Sequence, residues 1–151
     1  MRIDLLLSVL HFLLIFSLVA ILAAQSALIR PGITAISLRL AANLDRFYGV
    51  SATLLLGVGF VRVYWGAKGS SFYLSNPLFW AKIGFFTTIA MLSIPPTLQL
   101  IRWTKQARLQ DNFLPSNEQV RRMQWWLRAE ILVLLFIPFF AAAMARGVGL
   151  S

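Results

Sequence analysis

An apolar run that begins at Leu5 and ends at Ile29 constrains this chain more than any other feature. Only His11, Gln25 and small hydroxyl residues interrupt it. About 20 apolar residues are enough for a helix to cross the hydrocarbon core of a bilayer, and Arg30-Pro31-Gly32 supplies a helix stop directly after the run. The pattern therefore predicts a first membrane span over about residues 5–29.

A signal peptide is the alternative interpretation of the same run. Arg2 precedes it, and Ala24-Gln25-Ser26-Ala27 offers small residues near a cleavage point. However, the run is too long for the apolar segment of a signal peptide, and Asp4 and His11 are unusual within one. We therefore favour the membrane span.

Three further spans are predicted along the chain. Gly57 and Gly59 in the second would let a neighbouring helix approach closely, and Pro95-Pro96 should kink or break the third near its far end. A capping box, Ser116 with Gln119, begins the helix that leads into the fourth. The predicted spans cover about Gly49 to Trp65, Pro77 to Ile101 and Leu127 to Met144.

The connections between the spans differ in character. Ile36, Leu40, Leu44 and Phe47 recur at helical spacing, which predicts an interfacial amphipathic helix over Ile33–Phe47 between spans one and two. A polar, Gly/Ser-rich loop follows span two over residues 66–76, and Pro77 suits the first turn of the next helix. A long basic stretch joins spans three and four.

Composition agrees with this organisation. The 151 residues are 59% hydrophobic and 13% charged, with a mean hydropathy of +0.76, which is too apolar for a soluble domain of this size. We predict a single all-α domain over residues 1–151, an integral membrane antiparallel four-helix bundle. Because the chain has no cysteine, it can form neither a disulfide framework nor a thiolate metal site.

The distribution of Lys and Arg predicts the orientation. Nine of them fall on one side of the predicted spans and five on the other, which favours both termini outside a bacterial inner membrane. The net charge of +9 is explained by topology and anionic lipids rather than by nucleic acid, because the cations form no basic face with interleaved aromatics. The inner set is Arg30, Arg39, Arg46, Arg102, Lys105, Arg108, Arg121, Arg122 and Arg128, and the outer set is Arg2, Arg62, Lys68, Lys82 and Arg146.

Five ionisable residues fall within or at the ends of the spans, where each is costly. In an antiparallel bundle, His11, Arg62 and Lys82 share one depth near the outer side. Arg62 and Lys82 could instead extend to the headgroups. Asp45 and Glu130 lie at the inner side, where salt bridges with nearby arginines are the simpler interpretation and a proton relay the alternative.

His11 is the only histidine, and it lies among Leu, Val and Phe. An interhelical hydrogen bond would explain it, but imidazole is also a metal ligand and a proton carrier. One nitrogen ligand cannot make a closed zinc site. Heme b fits better, with His11 as the metal ligand and Arg62 and Lys82 as partners of the two propionates. The second axial ligand would come from Lys82, Met91, Met144, water or a neighbouring subunit.

Several short motifs resemble known membrane proteins. Leu10-His11 with Trp80 and Lys82 resembles the heme-dependent HemJ-type protoporphyrinogen oxidases and the copper-resistance CopD-like membrane proteins. Most of the chain more closely resembles an uncharacterised bacterial family, domain of unknown function 2214. The motifs of that resemblance are Asp45-Arg46-Phe47-Tyr48-Gly49, Gly59-Phe60-Val61-Arg62, Lys68-Gly69 and Asn76-Pro77-Leu78-Phe79-Trp80-Ala81-Lys82.

The HemJ-type resemblance implies a heme ligand at His11 and a functionally required lysine at Lys82, so both are candidate catalytic residues. The chain lacks the further histidines often found in those relatives. Two classes of function therefore stay open. One is a heme-binding oxidoreductase of the protoporphyrinogen oxidase type. The other is a non-catalytic membrane subunit or small transporter-like protein whose His/Arg/Lys cluster binds a porphyrin-like or small anionic ligand, with membrane lipids and further copies of the chain as partners.

Overall fold

The computed structural model of the protein describes residues 2–65, 69–110 and 112–146, and within them the chain is almost entirely helical. This confirms the predicted all-α class. The helices are α1 (Arg2–Leu28), α2 (Ala35–Trp65), α3 (Gly69–Leu74), α4 (Pro77–Leu109) and α5 (Asn117–Ala145).

The four long helices form two hairpins that pack side by side. α1 packs mainly against α2, and α4 packs mainly against α5. Lighter contacts of α2 with α4 and of α1 with α5 join the two hairpins. The arrangement is the predicted bundle, and the space between the hairpins is where its interior is least filled.

Buried residues follow one stripe on each long helix. Their spacing of three, four or seven residues is that of helices packed side by side in a bundle. Most large apolar residues outside the stripes are exposed, as expected for surfaces that face lipid. The stripes are His11, Leu18, Leu22 and Gln25 in α1, and Val120, Met123, Leu127, Glu130, Leu134 and Ile137 in α5.

Three of the described helices contain stretches long and apolar enough to cross a membrane. These stretches are Leu5–Leu28, Ala35–Tyr64 and Pro77–Leu109. The predicted fourth span, about Leu127 to Met144, lies within α5 and stays a prediction.

Spans one and two are joined differently from the expectation. The segment Ile33–Phe47, expected to be an interfacial helix of its own, supplies the first turns of α2, which continues unbroken to Trp65. The buried positions Leu38, Ala41, Tyr48 and Leu55 lie on one continuous stripe, so both segments pack on the same neighbours. With no proline between them, nothing in the sequence ends the helix.

Span three also extends further than predicted. α4 runs through Pro95-Pro96 without a break and ends at Leu109, two turns beyond Ile101. Each proline removes one backbone donor, but a packed helix tolerates this when its neighbours hold the flanking turns. Pro96 is itself buried in the bundle, and Trp103 after it is buried at 1% exposure, so packing continues past the prolines.

Several end signals in the sequence are confirmed. Gly32, in the turn after α1, has a φ of 79°, a conformation that glycine adopts without strain, and its N–H donates to Asn117 Oδ1 at 3.2 Å. Asn76 caps α4 by accepting from the Leu78 N–H at 2.9 Å, with Pro77 in the first turn.

The expected loop over residues 66–76 contains the short helix α3, and residues 66–68 lie outside the described part.

The predicted capping box at the start of α5 is present. The Ser116 N–H donates to Gln119 Oε1 at 3.1 Å, and the Gln119 N–H donates to Ser116 Oγ at 3.3 Å. These bonds satisfy backbone donors that a helix start leaves without partners.

Replacing Ser116 should therefore destabilise the start of α5. We expect Ser116→Ala to cost about 1 kcal/mol of stability, because the cap acceptor is lost. Ser116→Asp keeps an acceptor and should retain most of the wild-type stability. The apparent melting temperature in mild detergent measures both, and equal losses in the two variants would contradict the capping role.

Candidate functional site

A cleft of about 720 Å³ lies between the two hairpins. Its walls are mostly apolar and come from α1, α2, α4 and α5. This volume is within the range of pockets that bind cofactors and other small molecules. Polar and charged groups line the cleft at two levels, one toward each end of the bundle.

The first level is centred on His11. The imidazole occupies a packing position of α1 and is 7% exposed, and it lines the cleft. Its Nδ1 is buried, with no hydrogen-bond partner in the described part of the chain. Gly59 of α2 faces the ring, since a Cβ built there would lie 3.9 Å from His11 Cε1. The interhelical hydrogen bond that would have explained this histidine is not formed among the described residues.

Arg62 of α2 and Lys82 of α4 line the cleft at the same level. Both cations are close enough to His11 for their charges to act on it. Arg62 Nε is buried without an acceptor, and among residues 2–65, 69–110 and 112–146 neither cation forms a salt bridge. The structure therefore brings together the three residues that the sequence predicted as a site.

Among the described side chains, no carboxylate forms a salt bridge with the two cations of the first level. Removing charge from water without a partner is costly, and it is more costly in the membrane. The arrangement therefore favours a ligand that brings negative charge to Arg62 and Lys82 while its apolar body fills the cleft.

The second level is centred on Asp45 of α2. Its Oδ1 accepts from Thr97 Oγ1 of α4 at 3.0 Å and from Gln25 Nε2 of α1 at 3.5 Å. Gln25 Nε2 also lies 3.3 Å from the Ala41 carbonyl oxygen. One carboxylate thus connects three helices. At 1.5 Å per residue, Asp45 and Arg62 are roughly 25 Å apart along α2, so the cleft extends across most of the hydrocarbon core.

Glu130 lies beside this level but behind Tyr48. The Tyr48 hydroxyl lies near enough to the Glu130 carboxylate to interact with it, and Glu130 Oε1 is buried with no hydrogen-bond partner in the described residues. The salt bridges expected for Asp45 and Glu130 are not formed there. Arg128 is exposed, and Arg46, which is also exposed, lines the same cleft as Asp45 but forms no salt bridge with it among the described residues.

Of the methionines considered as a second heme ligand, Met91 does not line the cleft. It is 64% exposed, and it lies outside the stripe through which α4 packs on the bundle. The side chain of Met144 lies outside the described part. Lys82 is the candidate second ligand that the structure places next to His11.

Three polar residues of the second level were not predicted from the sequence: Gln25, Tyr48 and Thr97. Each is a single hydrogen-bonding side chain within an apolar stretch, which was the signal that could have drawn attention to them. Thr and Tyr are common in membrane helices, so that signal becomes specific only when the three helices are seen to converge on Asp45.

Comparison with known proteins agrees with this architecture. The chain belongs to the family described as predicted membrane protein (DUF2214), whose sequence profile matches residues 3–149. No curated protein and no solved structure gives a significant match. The predicted resemblance to that uncharacterised family is thereby confirmed, and the chain is a membrane protein of that family. Its resemblance to the HemJ-type and CopD-like proteins is not shown by these comparisons.

The unbalanced charge at the first level predicts a gain in stability when one cation is removed. Lys82→Met should stabilise the ligand-free protein by on the order of 1 kcal/mol, because it relieves the repulsion with Arg62 and the desolvation of the ammonium group. Lys105→Met, at an exposed position of the same helix, is the control. Thermal unfolding in detergent measures both variants, and a Lys82→Met protein that is less stable than the control would contradict the interpretation.

Proposed function

We propose that the protein binds heme b at the His11 end of the cleft. The observation that supports this is the buried imidazole, whose Nδ1 has no partner among the described residues, beside two cations that form no salt bridge there. A heme needs one or two axial ligands, an apolar groove and cationic partners for two propionates. No group of three His, Cys, Asp or Glu residues that could hold a bare metal ion occurs in the described part.

The residues of this chain would divide the binding task among them. His11 would hold the iron through an imidazole nitrogen, and Gly59 leaves room beside the ring. Arg62 and Lys82 would each pair with one propionate, which would balance the positive charge of the first level. The apolar walls of the cleft would keep water away from the macrocycle. When bound, heme supplies one-electron redox chemistry, and axial ligation and burial tune its potential.

The enzymatic part of the proposal is a porphyrinogen oxidation of the protoporphyrinogen oxidase type, in which the electrons and protons removed from the porphyrinogen pass to an external electron acceptor. It is supported by the resemblance of His11 and Lys82 to the functional positions of the HemJ-type family. In this proposal Lys82 acts as propionate partner, second ligand or proton-transfer group.

The second candidate is a non-catalytic or transporter-like protein that binds a small anionic solute. One observation favours it: the cleft has polar groups at two levels, roughly 25 Å apart along α2, with an apolar stretch between them. Intramembrane ionisable groups commonly line a path for solutes or protons. A protein that purifies without colour and is stabilised by small dianions would favour this candidate.

The absorption spectrum tests heme binding. Protein purified in mild detergent from cells with adequate heme should show a Soret band that shifts on reduction with dithionite. His11→Ala should lose the band, because the axial ligand is gone. Phe12→Ala is the matched control, since Phe12 is the next residue of α1 and is 56% exposed, facing away from the cleft. A colourless wild type, or a full band in His11→Ala, would exclude this site.

The proposed membrane arrangement has four spans with both termini outside a bacterial inner membrane. The chain has no cysteine of its own, so a single introduced cysteine shows on which side of the membrane its position lies. Ser71→Cys in α3 should react with a membrane-impermeant maleimide in intact cells, and Asn112→Cys between α4 and α5 should react only after permeabilisation. Both positions are exposed. The reverse pattern would invert the orientation, and equal labelling in intact cells would contradict the four spans.

A further inference from the structure

The half of the cleft nearer Asp45 differs from the half that contains His11. Small side chains from both facing helices line it, beside larger ones such as Arg46, Tyr48 and Leu100. These small residues are Ala42, Gly49, Ala52 and Thr53 of α2 with Ala90 and Ser93 of α4. A macrocycle held at His11 covers only part of a cleft that is roughly 25 Å long.

This half is open at the side of the bundle. Gly49 and Thr53 of α2 and Ala90 of α4 line the cleft and are also exposed. Gly49 is one turn from Asp45, and Ala90 is about two turns from both Lys82 and Thr97, so the opening lies at the depth of the hydrocarbon core. Leu56 and Ile101 are exposed along the same two helices, and Arg46 is exposed at the polar end of the opening. The opening therefore faces lipid.

Asp45 provides the polar group at the end of this half, and only one of its two carboxylate oxygens accepts a hydrogen bond within the described residues. Thr97 and Gln25 both donate to Oδ1, and within the described residues no group donates to Oδ2. The two bonds hold the carboxylate in place at the edge of the cleft, with one oxygen free to accept. A hydrogen bond to a charged acceptor is about twice as strong as one between neutral groups.

We propose that this half of the cleft binds a long-chain lipid with a hydroxyl headgroup. The lipid enters from the bilayer between α2 and α4, its chain lies along the small residues, and its hydroxyl donates to Asp45 Oδ2. Arg46 also lines this end of the cleft, but an ionised phosphate has no proton to donate to the free Oδ2, whereas a hydroxyl has one. The site is separate from His11, so the inference does not depend on heme.

Photolabelling tests the proposal in reconstituted vesicles. The probes are a long-chain fatty alcohol with a diazirine in its chain and the methyl ether of the same molecule, which cannot donate a hydrogen bond. At limiting concentration the alcohol should label wild-type protein about tenfold more than the ether, as expected for one hydrogen bond to a charged acceptor. Equal labelling by the two probes would overturn the role of Asp45.

Two variants test separately the contact of the lipid hydroxyl with Asp45 and the binding of the lipid chain. Asp45→Asn keeps an acceptor for Thr97 but turns an amide donor toward the ligand, so the preference for the alcohol should disappear. Gly49→Phe fills the opening and should reduce labelling by both probes. Gly57→Phe is its matched control: a Cβ at either glycine has open space within 4 Å, but Gly57 does not line the cleft. Equal labelling of the two phenylalanine variants would contradict entry at this opening.

His11→Ala distinguishes this site from the proposed heme site. Labelling should persist in His11→Ala, since the imidazole belongs to the other half of the cleft, even though any heme is lost. Loss of labelling in that variant would overturn the claim of a separate lipid site. The elution volume in size-exclusion chromatography and the far-UV circular dichroism spectrum, each compared with wild type, show whether each variant is folded.

Discussion

Side-by-side helix packing through one narrow stripe is the constraint on which the rest of this structure depends. In lipid, apolar side chains gain nothing by leaving the solvent, so helices associate through close packing and a few polar contacts. The stripes of α1 and α5 provide that packing. Polar residues placed in the stripes, His11 and Gln25 in α1 and Glu130 in α5, are thereby turned inward, toward the cleft or its neighbouring helices.

The cleft exists because the two hairpins pack tightly within themselves and only lightly on each other. Its two polar levels have opposite character. At one, Arg62 and Lys82 lie near His11 and form no salt bridge among the described residues. At the other, Asp45 accepts hydrogen bonds at Oδ1 from Gln25 and Thr97 and so connects three helices. The first level therefore favours an anionic ligand, whereas the hydrogen bonds of the second level help to hold the bundle together.

Much of the fold could be predicted from the sequence because its signals are local. Apolar length predicted the spans, Pro77 and the Ser116–Gln119 pair predicted helix starts, and antiparallel order placed His11, Arg62 and Lys82 at one level. The continuity of α2 could not be predicted from its charges, because the amphipathic pattern of Ile33–Phe47 fits both a surface helix and the end of a long span. The buried stripes could not be predicted from the sequence either, because lipid-facing positions are as apolar as buried ones.

The partners of the inner acids illustrate a further limit. Asp45 and Glu130 lie close in sequence to Arg46 and Arg128, which suggested salt bridges, yet no such bridge forms among the described residues. Thr97 and Tyr48, which do contact the acids, are distant or uncharged, and only the assembled bundle brings them together.

The most direct test of the central claim is the mass of what the protein carries out of its native membrane. Native mass spectrometry of gently extracted protein should show one non-covalent adduct with the mass of heme b, and the adduct should be absent from His11→Ala. A wild-type protein that carries no heme, or a His11→Ala protein that carries as much as wild type, would contradict the account of the His11 end of the cleft.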